Sequence, residues 1–215
     1  MAPRLAIMYF DIEQLDARRS YKLLTATVVP RPIAWVVTLD ESGKTNAAPF
    51  SFFNFFSGFP PVICLGIGRR GGGDKDTMAN IRARGEFVIN VVSEELVEAM
   101  NVTAVDFPPA FDELKEAGLE TAPSSKVKPP RIAASPVAIE CRLKDVLEVD
   151  ITGFIVIGHV AAMHIRDEAV VNAEKCYVDT GKLNLVGRMQ SPGGYVRTTD
   201  RFTLPMMGFE EWNKG

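Results

Sequence analysis

The sequence predicts a mainly β barrel, and three observations predict it. Strand-like runs recur at short intervals along the 215 residues. Helical signals are few and short. Glycines fall inside apolar runs, where a curved sheet needs bends or close backbone approach. Regular crossovers of a doubly wound sheet need longer helices than these. At this length the chain reads as a single domain.

Residues 33–39 (IAWVVTL) are β-branched and aromatic, residues 40–44 (DESGK) carry turn chemistry, and the chain resumes at Thr45, which reads as a hairpin. The block that follows, APFSFFNFFSGFPP, holds six of the thirteen phenylalanines. Alternation sends Phe50, Phe52 and Asn54 to one face and Ser51 and Phe53 to the other, so both faces carry aromatics. We therefore expect a strand buried twice, with one face in the barrel and the other against a second subunit or a planar ligand. Asn46, Ser51 and Asn54 offer hydrogen bonds to ring edges. Pro60 and Pro61 introduce the strand VICLGIG, and Phe87, Ile89 and Val91 alternate with Val88, Asn90 and Val92 in the next. Residues 137–143 and 151–165 supply the later strands, the second with Gly153 and Gly158 inside it. Asp76 is expected to cap the helix TMANIRAR, and Ser93 the helix EELVEAMNV. Residues 107–131 shift to Pro, Lys, Ser and Glu and read as a surface excursion.

Composition removes several function classes. Hydrophobic residues make up 47%, enough for a packed core, so disorder is not expected. Lys and Arg total 24 against 27 Asp and Glu, a formal charge of -3 with no basic stripe, so nucleic acid is not an expected partner. The longest uncharged stretch, residues 45–68, is broken by Pro49, Asn54, Pro60 and Pro61, so no membrane span is expected. The N-terminal layout is not that of a secretory signal, and the expected location is cytoplasmic. Cys64, Cys141 and Cys176 are far apart, with only His159 and His164 to join them, so free or buried thiols are expected rather than a metal site. The two histidines fall on opposite faces of a regular strand, as structural rather than catalytic residues.

Two motifs remain. The run from Gly66 to Gly71 satisfies G-x-G-x-x-G, yet a dinucleotide site needs the helix to begin within the glycines, and here residues 72–75 intervene. We read it as a glycine-rich loop carrying Arg69 and Arg70 that can meet a phosphate or a substrate. Lys75, Asp76 and Thr77 bring an ammonium, a hydroxyl and backbone amides to a helix start, a combination suited to a terminal phosphate, although Asp-Thr is also ordinary capping chemistry. No G-x-S-x-G, H-E-x-x-H or P-loop is present, which leaves hydrolase and metalloenzyme readings without support. The hard chemistry then belongs to a bound cofactor.

Taken in order, residues 29–38 (VPRPIAWVVT), 46–53 (NAAPFSFF), Pro60 with Pro61, and Lys75-Asp76-Thr77 resemble the flavin reductase-like family. Residues 158–160 (GHV) and 185–189 (LVGRM) are similar to its closing strands and C-terminal segment. The resemblance implies a Greek-key split β-barrel over residues 21–215, preceded by an extension of residues 1–20, and a homodimer that binds FMN non-covalently. Carried over, Ala47, Ala48, Pro49, Phe50, Ser51 and Phe52 lie along the isoalloxazine and ribityl chain, with Asn46 beside them. Trp35 and Thr38 lie on the adjoining strand, Lys75, Asp76 and Thr77 are at the phosphate, and Arg69 and Arg188 complete the site. It further implies hydride transfer from NADH or NADPH to the flavin, with no protein acid or base required. The electrons then pass to an acceptor, a flavin-dependent oxygenase or an electron-transfer protein. His159 and the RRGGG run depart from the family's commonest pattern. Two other readings stand beside this one: an FMN electron carrier without nicotinamide turnover, and a binding module without redox turnover.

Overall fold

The computed structural model describes residues 7–71, 73–108 and 111–213. Residues 1–6 of the expected extension and Gly72 of the glycine-rich run lie outside the described residues. The centre is a seven-stranded antiparallel sheet of β1 (Ala34–Leu39), β2 (Thr45–Phe50), β3 (Phe53–Gly58), β4 (Pro61–Gly68), β5 (Glu86–Val91), β6 (Val137–Val149) and β7 (Gly153–Ile165). Their spatial order is β2-β1-β5-β6-β7-β4-β3. Strands β5, β6 and β7 follow one another, and β4 lies beside β7, which is a Greek-key order. Helix α1 (Ala17–Thr27) precedes the sheet and runs across the expected boundary at residue 20.

The first hairpin forms as its residues dictate. Leu39 pairs with Thr45, and the Asp40 carboxylate accepts from Ser42 Oγ at 2.7 Å and from the Lys44 N–H at 2.8 Å. Gly43 takes the positive φ, +88°, that this turn requires.

The strand buried twice is β1, not the phenylalanine block. Ala34 and Val36 enter one core with Phe87, Ile89, Leu65 and Val156, while Ile33, Trp35 and Val37 enter a second with Met100, Leu114 and Ile132. The reason is position: β1 lies between β2 and β5, with α2 (Asp76–Arg84) packed against it. The phenylalanine block instead breaks at Ser51 and Phe52 into the ends of β2 and β3, which form the two opposite edges of the sheet. Phe55 is 72% exposed and Phe56 67%, so within one chain the expectation of a doubly buried strand fails there.

The caps also differ from expectation. Lys75 is the N-cap of α2, and Asp76 is its first helical residue. The segment after Ser93 divides into a 3-10 turn (Glu94–Leu96) and the short helix α3 (Val97–Val102), and Ser93 makes no side-chain capping bond.

The glycines in strands serve close approach. A Cβ on Gly66 would lie 2.9 Å from the Phe52 Cβ, and one on Gly158 would lie 2.7 Å from Phe87 Cζ and 3.0 Å from Ile63 Cδ1. Gly66 and Gly68 are strand residues and α2 begins only at Asp76, so the glycine motif has no dinucleotide geometry. Gly158→Val is expected to cost about 1–3 kcal/mol by overpacking this core, read as a lower urea midpoint. Wild-type stability would mean the core yields there.

A bulge between Glu140 and Cys141 alters the expected histidine geometry. His159 pairs with Arg142 and His164 with Ala138, an even separation on β6, so both histidines share one face. His164 Nε2 lies 2.5 Å from Glu140 Oε1, a satisfied structural histidine. All three cysteines are free thiols, and burial pushes the Cys141 thiol up strongly. Among the described residues no helix is long and apolar enough to cross a membrane.

Candidate functional site

As an edge strand, β2 pairs only with β1, and its outer row of backbone N–H and C=O groups faces away from the sheet. A cleft of about 110 Å³ follows residues 46–50, ending at Lys75, Asp76 and Thr77 and walled by residues 103–107. A second, of about 270 Å³, continues from Pro49, Phe50 and Ser51 to Arg188 and Tyr195. The two share Pro49, Phe50 and Ala104 and so form one trough along β2. Each alone is smaller than the roughly 300 Å³ at which drug-sized sites begin.

The floor of the first cleft is a polar network between β1, β2 and α2. Asn46 Nδ2 donates to Thr77 Oγ1 at 3.0 Å, and Asn80 Nδ2 donates to Thr38 Oγ1 at 3.0 Å. Thr77 is 2% exposed and Thr38 fully buried, so these hydroxyls are held in fixed places. Trp35 is fully buried, and its indole N–H donates to Thr103 Oγ1 at 2.9 Å. It positions the cleft wall rather than lining the cleft.

Lys75 stands at the start of α2 with no side-chain capping bond there. Its ammonium lies 5.6 Å from the Phe50 ring centroid and makes no ion pair among the described residues. Burial, and secondarily the nearby Arg70 cation, hold its pKa below the ordinary lysine value. A half-buried cation beside a second cation, at a helix N-terminus, is an anion site by its electrostatics. Arg70 itself pairs with Asp106 across the mouth of this cleft.

Most expected site residues come together in the trough: residues 46–51, Lys75, Asp76 and Thr77 line it, and Arg188 closes its far end. Phe52 stands just beyond, its ring 6.1 Å from that of Tyr21. Arg69 is not brought there. It pairs with Glu148 and lies over the Phe154 ring at 4.5 Å, while Arg70 takes the place at the cleft.

Sequence reading passed over three contributors. Arg31, 8% exposed, donates from Nη1 to the Thr25 and Val28 carbonyls and from Nη2 to the Met189 carbonyl, each at 2.8 Å. Its Nε reaches Ser51 Oγ at 3.4 Å. It ties α1 and the C-terminal segment to the end of β2, and its sequence signal was a lone arginine between prolines in an apolar run. Glu113 lines the first cleft, and burial raises its carboxyl above the usual range against the hydrogen bond from the Ala47 N–H. Tyr195 carries Arg188 over its ring at 4.6 Å. Neither Glu113 nor Tyr195 had a local signal.

Comparison with known proteins places this geometry. The model of the flavin reductase like domain matches residues 26–181. An uncharacterised Deinococcus radiodurans protein is 43% identical over 211 residues, covering 96% of this chain and 92% of that one. The crystal structure of Pseudomonas fluorescens 2-nitrobenzoate 2-nitroreductase superposes with a TM-score of 0.86 at 34% identity, over 94% of this chain and 98% of that chain. Nitrilotriacetate monooxygenase component B from Bacillus cereus gives a TM-score of 0.86 at 28% identity, over 93% and 100%.

Proposed function

Because this chain belongs to the flavin reductase-like family, we propose that it holds one FMN non-covalently along β2, reduces it with NADH or NADPH, and passes the electrons to an acceptor. The observation that carries this reading is Lys75: a half-buried ammonium without an ion pair among the described residues, beside Arg70, at an uncapped helix start. That environment lacks one negative group, and a phosphate supplies it.

Lys75, Thr77 and the first amides of α2 would hold the phosphate, and the open edge of β2 with residues 46–52 would hold the ring. When bound, the flavin supplies hydride acceptance and electron delivery. The chain's own part is to fix Thr77 through Asn46, to balance phosphate charge with Lys75 and Arg70, and to exclude water with Phe50 and the wall of residues 103–107. As acceptor we propose a nitroarene or a partner oxygenase, in line with what two of the similar solved structures are named for.

We also propose a homodimer. The edge strand β3 exposes Phe55 and Phe56, and residues 202–212 expose Phe202, Met206, Phe209 and Trp212, apolar surface of the kind a second copy covers.

The test is the absorption spectrum of protein loaded with FMN and desalted, before and after anaerobic addition of NADH and then NADPH, with light scattering on the same sample. Retained flavin absorbance that bleaches, in particles of two chains, is expected. Retained absorbance that neither donor bleaches would replace the reductase by an electron carrier. No retained flavin would overturn the FMN site, and a one-chain particle the dimer.

A further inference from the structure

The far end of the trough has a chemistry of its own. Its cleft of about 270 Å³ suits a single substituted ring, and its walls include Ile33, Pro49, Phe50 and Met100. Arg188 and Tyr195 are its polar members beside Ser51 and Asn101, and no carboxylate lines it. Arg188 makes no ion pair among the described residues, and its recorded hydrogen bond, Nη1 to the Gly194 carbonyl, is long at 3.5 Å. Stacking over Tyr195 holds the guanidinium plane by its face and leaves the in-plane N–H groups for a ligand, the arrangement that accepts a carboxylate through two parallel bonds. Arg31 lies close enough for its charge and that of Arg188 to disfavour each other, a repulsion that a bound anion relieves.

We propose that this cleft is a separate pocket for a planar aromatic carboxylate, with the carboxylate on the Arg188 guanidinium and the ring against the apolar wall of Phe50 and Met100. Arg188 then serves the bound acid rather than the flavin. Taking that acid as the electron acceptor rests on the flavin reading, whereas the pocket itself does not.

The experiment is calorimetric titration of benzoate, and of uncharged benzamide as its isostere, into the protein with and without FMN. Benzoate is expected to bind at least tenfold more tightly than benzamide, with similar affinity in both forms of the protein. Arg188→Gln should lose tenfold or more for benzoate, leave benzamide unchanged and retain FMN, and Arg188→Lys should keep most of the preference. Equal binding of benzoate and benzamide to the wild type overturns the proposal, and this comparison stands even if the Gln variant fails to fold. So does loss of benzoate binding once FMN is present, or loss of FMN from the folded Gln variant, since either makes the cleft part of the flavin's own site. A wild-type protein that retains no FMN would remove the flavin reading while the benzoate comparison still decides the pocket.

Discussion

Replacing Lys75 and Thr77 together by alanine is expected to weaken FMN binding by roughly 10²- to 10⁴-fold while leaving riboflavin binding within a few-fold of wild type. Each charge-assisted hydrogen bond to a phosphate contributes about 1.5–3 kcal/mol, and two are removed. Riboflavin lacks the phosphate and so reports whether the rest of the trough is intact. Quenching of flavin fluorescence measures both. Equal losses for the two ligands would mean that the polar network of Asn46 and Thr77 had collapsed, and an unchanged FMN affinity would remove the phosphate site. The wild type carries a pH signature of the same site. Burial, with Arg70 behind it, lowers the pKa of Lys75, so the free protein loses this ammonium at a lower pH than an ordinary lysine with its value of 10.5. Anion binding needs the protonated form, so the preference for FMN over riboflavin should fade on the alkaline side.

The second large effect is on stability and centres on Glu140. Its side chain is fully buried, and its carboxylate accepts from the Ser125, Lys126 and Val127 N–H groups at 2.7, 2.6 and 3.2 Å and from His164. Burial pushes this carboxyl up, but the backbone donors and His164 outweigh it and hold the pKa below its ordinary 4.5. Glu140→Ala leaves three inward-pointing amides and the imidazole without their acceptor. A loss on the order of 3–5 kcal/mol is expected, as for breaking a buried pair, and Glu140→Gln should lose less because one acceptor oxygen remains. Urea unfolding measures both variants. A pKa lowered on folding contributes stability that is present above the unfolded carboxylate range and is lost as pH falls through the folded value. The gap between wild type and the Gln variant should therefore narrow from pH 7 toward pH 4 and below. A gap that widens in acid would contradict the role given to this carboxylate.

The same residue shows why some of the fold was hidden in the sequence. Residues 107–131 read as a surface excursion, and their composition is that of one. Yet Leu114, Val127 and Ile132 in and beside that stretch are buried, and the turn at Ser125 is fastened from a strand fourteen or more residues away. Charged residues inside β-patterned segments carry no local mark of their partners. The histidine geometry failed for a related reason: alternation assumes a regular strand, and one bulged residue returns His159 and His164 to the same face.

The phenylalanine block erred through position rather than pattern. Alternation located its two aromatic faces, but whether a strand is covered twice depends on its place in the sheet, and β3 is an edge while β1 is interior. By itself the sequence determined the mainly β class, the first hairpin, the failure of the glycine motif as a dinucleotide site, and the residue types along β2 and at the start of α2. Each of these follows from local stereochemistry: side-chain period, turn residues, and the distance from glycine to helix. Only the tertiary structure decided that Arg70 rather than Arg69 reaches the cleft, that Arg31 fastens both termini of the domain to Ser51, and that Arg188 meets Tyr195. Those are pairings between segments distant in sequence, settled by strand order and bulges, which no local pattern encodes.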